Sequence, residues 1–293
     1  MLDLDLGAVL LSVTDISLLF VVNGKFVEPS VAMALSALSA AQVYKALAIL
    51  SIIVFGAIAL IHWRRAAVGL RKPLGLVLDR MTGIDFCVGT LIGTFAMVVI
   101  VAVELALGQL QMKVSAFGGH HIIQSASSYL ISGFIEELLC RGFLLSGLII
   151  VIRQRWIAVA VMAGIFGALH GANPHATALS IFSNALGGVT YAIAYLGSKR
   201  LWLGTGIHFA WNVIQGPVLG FAVSGGKMLW GGLFTESVRG PDWLTGGSFG
   251  PEGGLICIGF RFLVVGLILV WLSYSNRLVF SPRRFADDGS RLV

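Results

Sequence analysis

Apolar runs of about twenty residues recur along the whole chain, separated by short polar stretches. None alternates with period two, so helices are predicted and membrane strands are not. Eight runs stand out: 6–22, 42–62, 84–107, 128–152, 156–172, 178–197, 201–222 and 254–273. Helices of that length match a bilayer core of about 30 Å at about 1.5 Å per residue. A helix satisfies all its own backbone N–H and C=O groups, which lipid cannot do for it. The expected fold is therefore all-α, a polytopic transmembrane helical bundle of about eight spans. The first run is weakened by Asp15, and an interfacial helix is the alternative reading there. It does not read as a signal peptide, because Asp3 and Asp5 precede the apolar stretch and the basic Lys25 follows it.

The polar stretches set an orientation. Arg64, Arg65, Arg71, Lys72 and Arg80 lie in 63–80, Arg153 and Arg155 in the 152–155 turn, and Lys199 and Arg200 in the 198–200 turn. The tail carries Arg277, Arg283, Arg284 and Arg291. With eight spans all four segments share one side with the N-terminus, and the positive-inside rule makes that side cytoplasmic. Both termini are expected there. His62, Trp63, Arg64 and Arg65 close the second span with an aromatic and basic interface signature. The far side receives 108–127, Gly171–Thr177 and 224–253. The last is Gly-rich with two Pro, too polar and broken to span, and reads as an extracytoplasmic loop or lid. Residues 1–293 form a single membrane domain, without a visible repeat or soluble domain.

Composition agrees with this pattern. The chain is 57% hydrophobic and 12% charged, against roughly 25% charged in soluble domains. Its mean hydropathy is +0.91. The net charge of +6 is accounted for by the basic loops; no basic patch is interleaved with stacking aromatics, so no nucleic-acid partner is expected. Cys87, Cys140 and Cys257 all lie in apolar runs without metal-ligand spacing.

Ionisable residues in a bilayer are costly, and each is a functional candidate. Three clusters carry them. In Glu136-Glu137-Leu138-Leu139-Cys140-Arg141, Glu137 and Arg141 are i and i+4 and can pair. Glu136 is turned about 100° away and lacks that partner, which suits a general base. A purely structural ion pair is the alternative. Phe166-Gly167-Ala168-Leu169-His170 ends the fifth span. His170 alone reads more readily as a satisfied core histidine than as a catalyst, and His175 belongs to the wet surface beyond it. In His208-Phe209-Ala210-Trp211-Asn212, His208 and Asn212 share a face and offer donors to an oxyanion, or an interhelical polar clamp. Base, histidines and oxyanion donors together make a kit for amide hydrolysis. No G-x-S-G, G-x-G-D or H-E-x-x-H motif supplies a rival. Cys140 stands in too apolar a setting for a thiolate nucleophile.

The ordered motifs EELLCR (136–141), FGALH (166–170) and HFAWN (208–212) resemble the CPBP family, which includes the type II CAAX prenyl proteases and bacteriocin-processing or immunity proteins. The resemblance covers residues 120–220, on spans 4–7. It implies an intramembrane glutamate endopeptidase acting on a protein or peptide substrate, membrane-anchored or lipidated in some branches of the family. Carried over, Glu136 activates water, His170 positions it, and His208 and Asn212 hold the oxyanion. Glu137, Arg141 and Phe166 support them. No cofactor is expected; zinc on His170, His208 and a Glu is the alternative. Residue 140 is Cys where similar sequences often carry an aromatic.

Two other functions stay open: a non-proteolytic scaffold or immunity protein on the same fold, and a proton-coupled transporter. The transporter lacks an inverted repeat. Glu104, a lone acid in the third span, would need a role in it, although an interhelical hydrogen bond explains that acid as well. One tension concerns depth. The run boundaries place His170 near the outer side and His208 near the cytoplasmic side, whereas one site needs them at one level.

Overall fold

The computed structural model describes residues 21–22, 25–26, 29–66, 69–115, 122–226 and 231–277, with side chains from residue 46 onward. The expected span 6–22 lies outside these residues except at Val21–Val22. Those two form a short strand, β1, paired antiparallel with β2 (Lys25–Phe26), and not a helix.

Helix α1 runs Pro29–Arg65 and begins well before 42. The extra residues are mainly Ala, Leu and Ser, too weakly apolar to read as a span but rich in good helix formers. Helix α2 (Arg80–Ala106) starts at a capping box in which Asp79 accepts from Met81 N–H and Thr82 Oγ1 accepts from Asp79 N–H. Strand β3 (Leu110–Val114) follows. Helix α3 (Ile122–Glu137) passes into a π-helical stretch, Leu138–Leu145, and continues as α4 (Ser146–Ile152). Helix α5 (Arg155–His170) and helix α6 (Ala178–Ser198, capped by Thr177 and Ser180) form an antiparallel pair. Helix α7 (Trp202–Val213) ends in a second π stretch, Ile214–Val218, because Pro217 has no N–H to continue the ladder. The long apolar helix α9 (Leu255–Tyr274) closes the described chain.

Among the described residues, four helices are long and apolar enough to cross a membrane: Ala46–Arg65, Arg80–Ala106, Ala178–Ser198 and Leu255–Tyr274. Large apolar side chains on their outer faces, such as Ile53, Leu91, Phe95, Phe262 and Val270, are exposed where lipid would cover them. The core between the helices is equally apolar, with Met97, Ile100, Leu144, Met162, Leu203 and Ile207 fully enclosed.

Glycines bring α2 and α7 into backbone contact. A Cβ on Gly89 would lie 2.3 Å from Leu203 O, one on Gly93 2.5 Å from Ile207 O, and one on Gly206 2.3 Å from Phe86 O. The contacts advance together along both helices, so α2 and α7 run parallel.

Three of the four basic segments that loop charge had grouped, 63–80, 198–200 and the start of the tail, lie at one end of the bundle. There Leu201 N–H donates to Gly75 O, Tyr195 Oη to Pro73 O, and Trp202 Nε1 to Val77 O. Arg200 pairs with Asp79, and Arg277 with the fully buried Asp85. The guanidinium hydrogen-bonded to Asp79 holds its carboxyl below the usual carboxylate range. At the other end β3 pairs antiparallel with β4 (Phe234–Val238), joining the 108–127 and 224–253 segments. The positive-φ Gly225 packs on Pro174 O, which adds the 171–177 connection.

The 224–253 segment is more ordered than its composition suggests. Besides β4 it holds a short helix, α8 (Asp242–Thr245), and two 3₁₀ turns. Its Glu252 is buried and accepts from Ser224 N–H, Ser224 Oγ and Gln215 Nε2.

Candidate active site

The three sequence motifs fall on α3 and its π stretch, on α5, and on α7. Helix α6, which carries no motif, packs against α5 and α7. Glu137 is the hub. It is 1% exposed, and its Oε1 accepts from Arg141 Nη1 at 3.0 Å and faces His208 Nδ1 at 3.0 Å. The i,i+4 pairing expected of Glu137 and Arg141 is present. Gly204 of α7 makes room for the carboxylate: a Cβ there would lie 3.1 Å from Glu137 Oε2.

Arg141 is fully buried. Its Nη2 donates to Gly188 O at 3.3 Å, and its guanidinium lies 4.5 Å from the Phe166 ring centroid and 5.0 Å from that of Tyr191. These contacts supply the cation–π and hydrogen-bond support that an enclosed arginine needs.

His208 is held on two sides. Tyr191 stacks on its ring at 4.9 Å and 13°, and Glu137 takes Nδ1. An ionised carboxylate only accepts, so Nδ1 carries a proton and Nε2 is the atom left for other work. That Nε2 lies 3.9 Å from Glu136 Oε2. Glu136 is the opposite of its neighbour: 42% exposed and without a cation among the described residues other than His208.

Asn212, one turn beyond His208, is buried and has no hydrogen-bond partner among the described residues. His170 donates from Nδ1 to Phe166 O at 2.8 Å, since a carbonyl can only accept, and this leaves its Nε2 as a lone pair. Its ring centroid lies 4.7 Å from that of Phe166. The depth tension is thus narrowed and not removed. Phe166 links His170 to the Arg141–Tyr191–His208 stack, but His170 stands one turn away from it. Among the described residues no group of three or more His, Cys, Asp or Glu is placed to hold a metal. His170, His208 and a glutamate do not converge in that way.

Sequence reasoning missed Tyr191, Gly188 and Gly204. An aromatic and two glycines in an apolar helix look like packing, and only the neighbouring helix gives them partners. The interhelical hydrogen bond that the sequence offered as one explanation of Glu104 is not formed among the described residues. Glu104 is fully enclosed, and both carboxylate oxygens lack a partner among the described residues.

A helical bundle with apolar outer surfaces and a buried acid–histidine–arginine cluster indicates a membrane protein that encloses a polar cluster. Residues 118–214 match the family model described as type II CAAX prenyl endopeptidase, Rce1-like. That segment contains all three motifs, and the match agrees with the resemblance that they carry. It indicates a protease of the CAAX-protease type acting on a peptide or protein. Helices α1, α2 and α9 lie outside it. No curated protein and no solved structure matches the chain.

Proposed function

We propose that the chain is an intramembrane glutamic endopeptidase that activates water with Glu136. The observation that carries this reading is the splitting of two adjacent acids around one imidazole. Glu137 is enclosed and committed to Arg141 and His208, whereas Glu136 is half-exposed and faces the free Nε2 of that ring.

Glu136 takes a proton from water, and the oxygen attacks the scissile carbonyl carbon. The carbonyl oxygen becomes an oxyanion that accepts from Asn212 Nδ2 and from Nε2–H of His208, whose ring, flanked by Glu136 and Glu137, carries a proton on both nitrogens in this step. The C–N bond then breaks, and Glu136 returns the proton to the leaving amine. His170, through its Nε2 lone pair, accepts from the attacking water and orients it. Glu137 and Arg141 fix the His208 ring. Phe166 supports Arg141 and His170.

The eight-span arrangement with both termini cytoplasmic belongs to the same proposal. Its support is that the loops with few basic residues meet at one end of the bundle and three of the four basic segments at the other. The substrate is a membrane-associated or lipidated peptide, consistent with a site between lipid-covered helices.

The test is to incubate the purified full chain in detergent with short peptides, lipidated and plain, with and without chelator, and to read products by mass spectrometry. Cleavage that withstands chelator is the expected result. Cleavage abolished by chelator would replace Glu136-activated water with metal-bound water.

A further inference from the structure

Helix α9, outside the matched segment, contributes a second enclosed arginine that the chemistry above does not use. Arg261 is 5% exposed and lies within a span apolar enough to cross a membrane. An arginine in that setting is ordinarily neutralised by a carboxylate. The equally enclosed Arg141 of this chain is, by Glu137. Arg261 makes no ion pair among the described residues. The lid acid Glu252 is committed to Ser224 and Gln215.

The guanidinium is nevertheless carefully held. Nε donates to Ser183 Oγ at 3.2 Å, and Cζ lies 4.9 Å from the Trp211 ring centroid. Gly187 gives it space, because a Cβ there would lie 2.5 Å from Nη1 and 3.0 Å from Cζ. Nη1 and Nη2 have no hydrogen-bond partner among the described residues. They form the two-pronged edge that binds a carboxylate in bidentate fashion.

The location connects this edge to the reaction centre. Trp211 adjoins Asn212 and is one turn from His208. Gly187 is one turn from Tyr191, which stacks on His208. One turn is about 5.4 Å along the axis. Extended peptide covers about 3.3 Å per residue.

Resting on the peptidase reading, we infer that Arg261 binds a carboxylate of the peptide substrate within a few residues of the scissile bond. The carboxylate is either the free C-terminus or an acidic side chain. Arg261 thereby selects substrates and sets where they are cut.

The test reads binding and not cleavage, so it is separate from the failure of the peptidase proposal. Affinities of acetyl-trileucine, its C-terminal amide, and an amide with one leucine replaced by glutamate are measured by thermophoresis on the full chain in detergent. One charge-assisted pair predicts that the wild type prefers a carboxylate-bearing peptide over the plain amide by about tenfold or more. Preference for the acid assigns the C-terminus, and preference for the glutamate peptide assigns the side chain. Arg261→Gln abolishes the preference. Gly187→Ala retains the charge and pushes on the guanidinium alone, so it lowers the preference without removing an ion from the core. Equal affinity of the wild type for all three peptides, no binding of any, or a preference that survives both substitutions would overturn the inference.

Discussion

Glu136 and Glu137 are neighbours in sequence and opposites in structure, and the difference is set by single partners. Removing Arg141 would leave Glu137 enclosed with only an imidazole to balance it. Arg141→Ala is expected to cost about 3–5 kcal/mol, the usual penalty for orphaning half of a buried pair. Denaturant unfolding in detergent would read this, and a loss below 1 kcal/mol would show that Glu137 is not held as described. Glu136→Ala removes a half-exposed side chain and is expected to leave the same unfolding curve nearly unchanged. The ion pair was legible in the sequence because i,i+4 spacing on a helix is a strong geometric constraint. The stacking partner Tyr191 and the unpaired Arg261 were not. Each depends on which neighbouring helix it meets, and spacing along one helix carries no such information.

At the level of elements, the position of His208 depends on how closely α2 approaches α7. Gly206 touches α2 backbone, with no flexible side chain in between to yield. Gly206→Leu is expected to force the helices apart, lower stability by about 1–3 kcal/mol, and reduce cleavage together with it. Gly164, which has no atom within 4 Å of an added Cβ, provides the control: Gly164→Ala should be neutral or stabilising. From residue 42 onward each expected apolar run is helical over most of its length, because apolar length is a robust signal. The two π stretches were not legible, since one extra residue in a turn leaves the hydropathy pattern unaltered. The order within 224–253 also escaped, because it comes from pairing with β3 and from the Glu252 anchor.

The cap of α2 carries its own pH signature. Asp79 is held below its ordinary titration range chiefly by its hydrogen bonds to Arg200. Its contribution to stability is therefore fully present above the ordinary carboxylate range and is lost as pH falls through the depressed folded value. Asp79→Ala should lower thermal stability at neutral pH and flatten the acid limb of the stability profile. An unchanged acid limb would exclude the latch.

For the whole molecule, loop charge and three-dimensional contact agree on which segments share an end. Single cysteines at Lys72 and Lys199 should react with a membrane-impermeant thiol reagent from the cytoplasmic side, and one at Thr235 only from the opposite side. Labelling of all three from one side would exclude the bundle as a membrane-crossing unit. The paired residues Met112 and Glu236, replaced by cysteine, should cross-link and fasten the outer cap. The span 6–22 was the least legible part, because a short, Asp-interrupted run does not separate crossing a bilayer from lying on it.

The central claim is that Glu136 activates the attacking water. Its most direct test compares wild type and Glu136→Gln on one peptide that the wild type cleaves, at equal amounts of folded protein. Loss of general-base catalysis predicts that kcat/KM falls by about 10²–10⁴-fold, with the unfolding midpoint unchanged. Cleavage by Glu136→Gln within about twofold of wild type would contradict the account, because an amide cannot take the proton from water.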